Sequence, residues 1–503
     1  MSAEADSLSS LFARFSAFER DADLFSREVC GVRFWHYIRF NVYSTLILPR
    51  FVPMDTAHPD MHVKASRKKG FAGRAVSRII GGWRTFRMLT FGNPSLALRR
   101  RDVLISLAPR TTVLPTGRRI RLAVDFFVEK LKSSWCVLEF PVGAAGYPPN
   151  DGPGRTFRWE AAKRAVGAFK VSRSFRDLMP EIASVAENLA REISERFGID
   201  VDEAVVCRRI ESAVVLERAV VPLLRKWLRR LGVRCDVEVV HYASANMALT
   251  RAAHAEGLPV VELQHGTVIS SHAAYNLPGN DSPNRPDFLL GWGDWWIAQT
   301  RNFVRTGAMA AGYPYLESFF SDRMKTEPPK GASRRTVVYV SQGTVGKALS
   351  ESAAALRKLL PQDAFNIVYK LHPNEMKSWR SLYPSLEDSG VEVLDDPRRP
   401  IYDIFNGADV TVGSYSTALV EGFMWGMPAF VLRRLPGSDL MEPFAGSGML
   451  VYADSTEDIA DALRGGAWKS LRFKGGQNAL WRTGSVGAIA EFIDGIAERG
   501  GCR

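Results

Sequence analysis

The chain has 503 residues, 46% of them apolar and 24% charged, with a formal net charge of +12 and five cysteines. That composition excludes a collagenous, a disordered or a disulfide-scaffold protein, and the length exceeds what one hydrophobic core organises, so two large domains are expected. Cys30, Cys136, Cys207, Cys235 and Cys502 are scattered and odd in number and contain no CxxC pair, which argues against a zinc site and for a reducing, cytoplasmic setting.

Residues 1–101 read as an N-terminal helical appendage. Glu4, Asp6, Glu19 and Asp21 lie where a secretory signal would need an apolar stretch, and no uncharged run reaches the ~18 apolar residues of a spanning helix. Residues 8–48 are expected to be mostly helical, with Phe34, Trp35, His36 and Tyr37 as packing. From Lys64 to Arg101 there are eleven Lys or Arg and no acid, nearly the whole charge excess. Arg74, Arg78, Arg84 and Arg87 alternate there with Trp83, Phe86 and Ile79, the pattern of a basic amphipathic helix on an anionic membrane surface. A solvated loop is the bland rival. Nucleic-acid binding is disfavoured, because no RNP, KH, zinc-finger or zipper pattern accompanies the charge.

A first α/β domain is expected over 102–324. It should open with a buried strand at 103–107, a helix at 118–131 and a strand at 135–140, followed by a turn-rich stretch at 143–154 and a largely helical insert at 155–231. Two βα units follow, with strands at 237–241 and 259–264 around a helix at 245–255, then a strand at 287–291. A Pro- and Gly-containing linker at 325–335 separates this from a second domain at 336–484. Its strands are expected at 336–341, 366–371, 391–394, 409–412, 428–432 and 449–452, with helices beginning near Lys347, Glu375, Ile401, Thr417 and Glu457. A last segment, 485–503, carries a helix at 486–497 that crosses back to the first domain. Strands alternating with helices imply parallel sheets, so the fold class is α/β, two Rossmann-like domains facing a cleft.

Three phrases sit just after apolar runs and just before helical ones, where α/β folds bind phosphates: Gln264-His265-Gly266-Thr267, Lys370-Leu371-His372-Pro373, and Gly413-Ser414-Tyr415-Ser416-Thr417 with Glu421. Gly343 and Thr344 follow the first strand of the second domain in the same way, and a glycine there lets backbone approach a ligand. The string Gly343-Thr344-Val345-Gly346-Lys347 is not a Walker A. That motif needs four residues between its glycines and Ser or Thr after Lys, and here there are two residues and Ala348. Pro373 holds His372 in an extended turn at the strand end. Alone, a histidine at a turn or hydroxyls at an N-cap are ordinary structural features. Their order along one chain points to a nucleotide cleft.

In that order the motifs resemble the GT-B glycosyltransferases of bacterial surface-polysaccharide synthesis, among them polysialyltransferases, Kdo transferases and CDP-glycerol glycerophosphotransferases. The resemblance covers about residues 235–455 and reaches the first 230 only by general layout. It implies a metal-independent transferase with no cofactor, moving a sugar, an ulosonic or sialic-type acid from a CMP donor, onto a surface glycan or lipid-linked acceptor at the inner face of the membrane. His372, Pro373, Ser414, Ser416 and Thr417 would hold the donor phosphate, with Gly343, Thr344 and Glu421 near the nucleoside. The general base stays open between His265 and the first-domain carboxylates Asp125 and Glu139. A CDP-polyol phosphotransferase, an enzyme like the UDP-GlcNAc 2-epimerases, suggested by the string from Gly426 to Arg433, and a degenerate glycan-binding scaffold are the alternatives.

Overall fold

The computed structural model describes residues 8–51, 93–107, 111–113, 117, 119–140, 154–279, 282–323, 334–396, 399–474 and 476–500. The segment with Arg74, Arg78, Trp83, Arg84 and Arg87 lies outside them, as do residues 141–153 and the linker residues 324–333. Among the described residues, no helix is long and apolar enough to cross a membrane.

The strands are short, near-continuous apolar runs, as expected of sheets covered on both faces. In the first domain they are β1 (Val103–Leu107), a separate hairpin of β2 (Thr111–Val113) and β3 (Arg119–Arg121), then β4 (Trp135–Glu139), β5 (Arg155–Arg158), β6 (Cys235–Val239), β7 (Val260–Leu263), β8 (Phe288–Gly291) and β9 (Gly307–Ala310). All but the hairpin form one seven-stranded sheet in the order β5-β4-β1-β6-β7-β8-β9, and every pairing in it is parallel. The second domain has β10 (Arg335–Val340), β11 (Phe365–Lys370), β12 (Glu392–Leu394), β13 (Val410–Gly413), β14 (Ala429–Leu432) and β15 (Leu450–Ala453). These form a six-stranded parallel sheet in the order β12-β11-β10-β13-β14-β15. Each sheet is doubly wound, reversing direction beside its first strand, between β1 and β6 and between β10 and β13. This is the two-Rossmann-domain α/β architecture that the GT-B resemblance implied. Ligands of such sheets bind at the carboxyl ends of the strands beside that reversal.

The chain crosses back at its end, as the sequence suggested. Ile489, Ile493 and Ile496 of the helix Ser485–Gly500 pack on Val103, Ile105 and Val237 of the first sheet. The Asp494 carboxylate accepts from the backbone N–H of Lys132 and of Ser133, both at 2.9 Å. The incoming strap is tight. Gly312 has φ +89°, and a Cβ on it would stand 2.1 Å from the Arg482 carbonyl oxygen, so only glycine fits there.

The N-terminal helices are more than an appendage. Phe12, Phe15, Phe18 and Trp35, from the helices Leu8–Asp21 and Trp35–Val42, share one apolar core with Ile182, Leu189, Phe197 and Ile210 of the helical insert. Phe34, Trp35, His36 and Tyr37 are all buried, in keeping with the packing role expected.

Three expectations fail locally. The helix expected at 118–131 is instead β3, a run of turns and a 3-10 turn at Val128–Lys130. There the Asp125 carboxylate captures the Arg121 backbone N–H at 2.8 Å and its guanidinium at 2.6 Å, a side-chain bond that competes with helix formation. The helix expected from Glu375 is a run of turns leading to Trp379–Leu382, because the Glu375 carboxylate takes the His372 N–H at 2.8 Å and the Tyr383 hydroxyl at 2.7 Å. Finally, β5 and β9 are strands where none was expected. They close the two edges of the sheet.

Candidate functional site

Glu262 organises the first-domain end of the cleft. It lies within β7 as the register partner of Glu238 on β6, and both are fully buried. One Glu262 oxygen accepts the Tyr275 hydroxyl at 2.9 Å and lies 3.6 Å from Nδ1 of both His241 and His265; the other accepts the His241 backbone N–H at 3.1 Å. Burial alone would push this carboxyl up, but the two histidines outweigh it and hold Glu262 below the usual range. The neighbours behave oppositely. Burial pushes Asp236 up to about 8 and raises Glu238, to which the charges of Asp236 and Glu262 add, so Glu262 carries the charge of this row.

His265 is set into the site by its own motif. Gln264 locks the turn, its side-chain oxygen accepting the Trp292 N–H at 2.8 Å and its amide donating to the Gly266 carbonyl at 2.9 Å. The imidazole has the Tyr275 hydroxyl 3.3 Å from Nδ1 and the Tyr242 hydroxyl 3.1 Å from Nε2. His272, behind it, is stacked on Phe40, and burial, with the charges of His265 and His241, lowers it to about 3. Arg39 of the N-terminal helices donates to the Asn276 carbonyl at 3.3 Å and pairs with Glu19 at 2.7 Å, so the supposed appendage clamps the loop that carries Tyr275. Val240, just before His241, has φ +70°, a strained geometry for a β-branched residue that costs about 1–3 kcal/mol and marks functional sites. Asn246 secures it by donating to the Val239 and Val240 carbonyls at 2.9 and 3.0 Å.

The second-domain end is built from hydroxyls and backbone. Thr344, after β10, hydrogen-bonds the Tyr415 hydroxyl, after β13, across the reversal point. Ser416 caps the short helix Thr417–Glu421 through the Ala418 N–H at 3.3 Å. His372 and Pro373 stand exposed at the end of β11, with His372 Nδ1 accepting the Asn374 N–H at 3.4 Å. Ser414 is fully buried and donates to the Pro436 carbonyl at 2.9 Å. Glu421 accepts the Tyr402 hydroxyl at 2.9 Å within an aromatic cluster, and burial pushes its carboxyl up to about 7. The two ends touch at a pair of threonines. Thr267 Oγ1 and Thr417 Oγ1 lie 2.8 Å apart.

No family model matches the chain, and no curated protein matches its sequence. Several solved structures are similar in chain path. The UDP-GlcNAc 2-epimerase from Neisseria meningitidis, solved bound to UDP-GlcNAc, is 11% identical, with 79% of this chain and 100% of that one covered, at a TM-score of 0.42. The wall teichoic acid polymerase TagF is 11% identical over 85% of this chain and 97% of its own, at 0.44. The spinosyn rhamnosyltransferase SpnG is 13% identical over 80% and 96%, at 0.39. At such identities the chemistry of the site has to be read from this chain's own side chains.

Of the residues singled out in the sequence, the structure gathers His265, Gly343, Thr344, Ser414, Ser416 and Thr417 at strand ends that face one another, with His372 and Pro373 on the adjoining strand. Asp125 and Glu139 are each engaged by an arginine: Asp125 by Arg121, and Glu139, at the carboxyl end of β4, by Arg158. Sequence reading missed Glu262, Tyr242, Tyr275 and His241. The available signal was an acid inside an apolar strand, Val260-Val261-Glu262-Leu263, since a carboxylate is almost never fully buried without a partner. A cavity of about 540 Å³ lined by His254, Asp287, Arg305 and Arg499 opens by the first residues of β7 and β8, away from the strand ends that bear the motifs.

Proposed function

We propose that this chain is a metal-independent glycosyltransferase that takes a sugar from a nucleotide-activated donor. The supporting observation is the Thr267–Thr417 contact, which joins a histidine and carboxylate end to a hydroxyl-rich end across two reversal points. In this reading His265 is the base that activates the acceptor hydroxyl. Gly343, Thr344, His372, Ser416 and Thr417 contact the donor phosphate and nucleoside, while Ser414 and Glu421, engaged internally, shape the turn from beneath. The preferred donor is a CMP-activated ulosonic or sialic-type acid and the acceptor a surface or lipid-linked glycan. The string from Gly426 to Arg433, which favoured a 2-epimerase, contributes the buried strand β14, so Ala429 to Leu432 within it are accounted for by packing.

A thermal-shift panel of CMP, CDP, UDP, UMP, GDP and ADP tests the donor class, because a ligand that binds the native state raises the melting temperature by mass action. CMP should give the largest shift in the wild-type chain and none in His372→Ala. Release of labelled sugar from its nucleotide without any glycan acceptor would favour the epimerase class instead.

Membrane association belongs to the same proposal. Leu96 and Leu98 are 55% and 95% exposed beside Arg99, Arg100 and Arg101, at the end of the basic segment. Charge reversal of Arg74, Arg78, Arg84 and Arg87 should release the protein from vesicles rich in anionic lipid; unchanged binding would reduce the segment to a loop.

A further inference from the structure

The imidazole assigned as base is set back from the cleft. The His265 side chain is 6% exposed, and its Nε2 faces the hydroxyl of Tyr242, the partly exposed residue that follows His241 at the end of β6. Both ring nitrogens face tyrosine hydroxyls, Nδ1 that of Tyr275 and Nε2 that of Tyr242, so a proton reaches Nε2 through the phenol.

Counting donors places the protons. An ionised carboxylate only accepts, a tyrosine has one proton to give, and a neutral imidazole has one donor and one acceptor. Glu262 takes the Tyr275 proton at 2.9 Å, so the Tyr275 oxygen offers a lone pair to His265 Nδ1. Nδ1 therefore carries the ring proton, and Nε2 accepts from Tyr242.

We propose that Tyr242 is a catalytic residue that relays the acceptor's proton to His265. This rests on the glycosyltransferase reading. The acceptor O–H bond breaks and its proton passes to the Tyr242 oxygen, while the proton already on Tyr242 moves to His265 Nε2. The freed electron pair of the acceptor oxygen forms the new bond to the sugar carbon. The bond from that carbon to the donor phosphate breaks, and its electrons leave with the nucleotide. The imidazolium left behind stands 3.6 Å from the Glu262 carboxylate, which balances its charge.

Tyr242→Phe isolates the hydroxyl, because the ring contacts with Phe40 and His272 survive in phenylalanine. The chain has eight histidines, few enough for 15N ring spectra of histidine-labelled protein, with His265→Gln assigning the signal. The relay requires His265 protonated on Nδ1 with a lone pair on Nε2, a shift of the Nε2 resonance in Tyr242→Phe, and loss of that tautomer in Glu262→Gln. Transfer of sialic acid from CMP-sialic acid to a glycan acceptor should fall about 100-fold in Tyr242→Phe, with the CMP-induced melting shift unchanged. A ring proton on Nε2, or an Nε2 resonance indifferent to the phenol, overturns the relay, as does full turnover by Tyr242→Phe. A wild-type chain with the expected ring signature and no turnover overturns the donor assignment and leaves the hydrogen-bond chain supported.

Discussion

The two ends of the cleft solve different problems with different residues. At the ends of β6 and β7 the side chains are titratable, buried and mutually bonded, with one carboxylate serving two histidines. At the ends of β10, β11 and β13 they are hydroxyls, glycine and an exposed histidine on turns. Buried, mutually satisfied groups are held rigidly and strengthened by the low local dielectric, which suits proton transfer. Turns with backbone and hydroxyl donors suit a phosphate that must arrive and leave. The proposed function accordingly puts the chemistry on the first domain and donor binding on the second.

The largest break in that comparison should come at Glu262. Its removal leaves the Tyr275 hydroxyl, the His241 backbone N–H and the two imidazoles without their common acceptor, so Glu262→Ala is expected to cost about 3 kcal/mol or more, at about 1–3 kcal/mol per buried donor left unsatisfied. The isosteric Glu262→Gln should keep more stability yet slow sugar transfer about 100- to 1,000-fold. The nucleotide-induced melting shift, which belongs to the other end, should persist in Glu262→Gln. If that shift vanished with the activity, the division of labour between the domains would be wrong.

Acid and base should then separate the two ends by sign. His272 is neutral in the folded chain, lowered to about 3 by burial and the neighbouring histidines; the unfolded chain takes a proton near its ordinary 6.5, so stability falls as pH drops from 6.5 towards 3. Glu421 is the reverse case. Its folded carboxyl, pushed up to about 7 by burial, binds a proton more tightly than the unfolded one, so folding is penalised progressively from about 4.5 to 7 and by a constant amount above. At 1.36 kcal/mol per unit the His272 shift is worth about 5 kcal/mol and the Glu421 shift about 3 kcal/mol. Denaturant titrations of His272→Phe and Glu421→Gln should show the first gaining on wild type under acid and the second gaining as pH rises. Parallel pH curves for either variant would reject that group's buried, shifted state.

The same contrast governs what could be read from sequence. The second-domain strands were anticipated to within one or two residues, because covered parallel strands such as Val410–Gly413 and Ala429–Leu432 are unbroken apolar runs. In the first domain β5 and β9 escaped notice: β5 has arginine at both ends and β9 reads Gly-Ala-Met-Ala, with no β-branched residue. Residues 118–131 had helical spacing, but no periodicity reveals that Asp125 will bond its own chain at Arg121. At the site, the motifs of local turns were legible. The network was not, since Glu262, Tyr242, Tyr275 and Arg39 meet only when β6, β7, a following loop and the N-terminal helix are packed together.

The smallest expected effect tests the joint itself. Thr267 and Thr417 exchange one neutral hydroxyl bond at 2.8 Å between partly exposed residues, and such a bond contributes about 1 kcal/mol net. A double-mutant cycle of Thr267→Val and Thr417→Val should therefore give a coupling near that value in unfolding, provided that each single change leaves the rest of the site in place. Donor binding should respond differently to the two. Thr417→Val removes a hydroxyl assigned to the donor and should reduce the CMP-induced melting shift, whereas Thr267→Val breaks only the bridge and should leave it. Equal loss in both variants would mean that the bridge, rather than the Thr417 hydroxyl alone, holds the donor turn in shape, and would move Thr267 from the closing contact into the donor site.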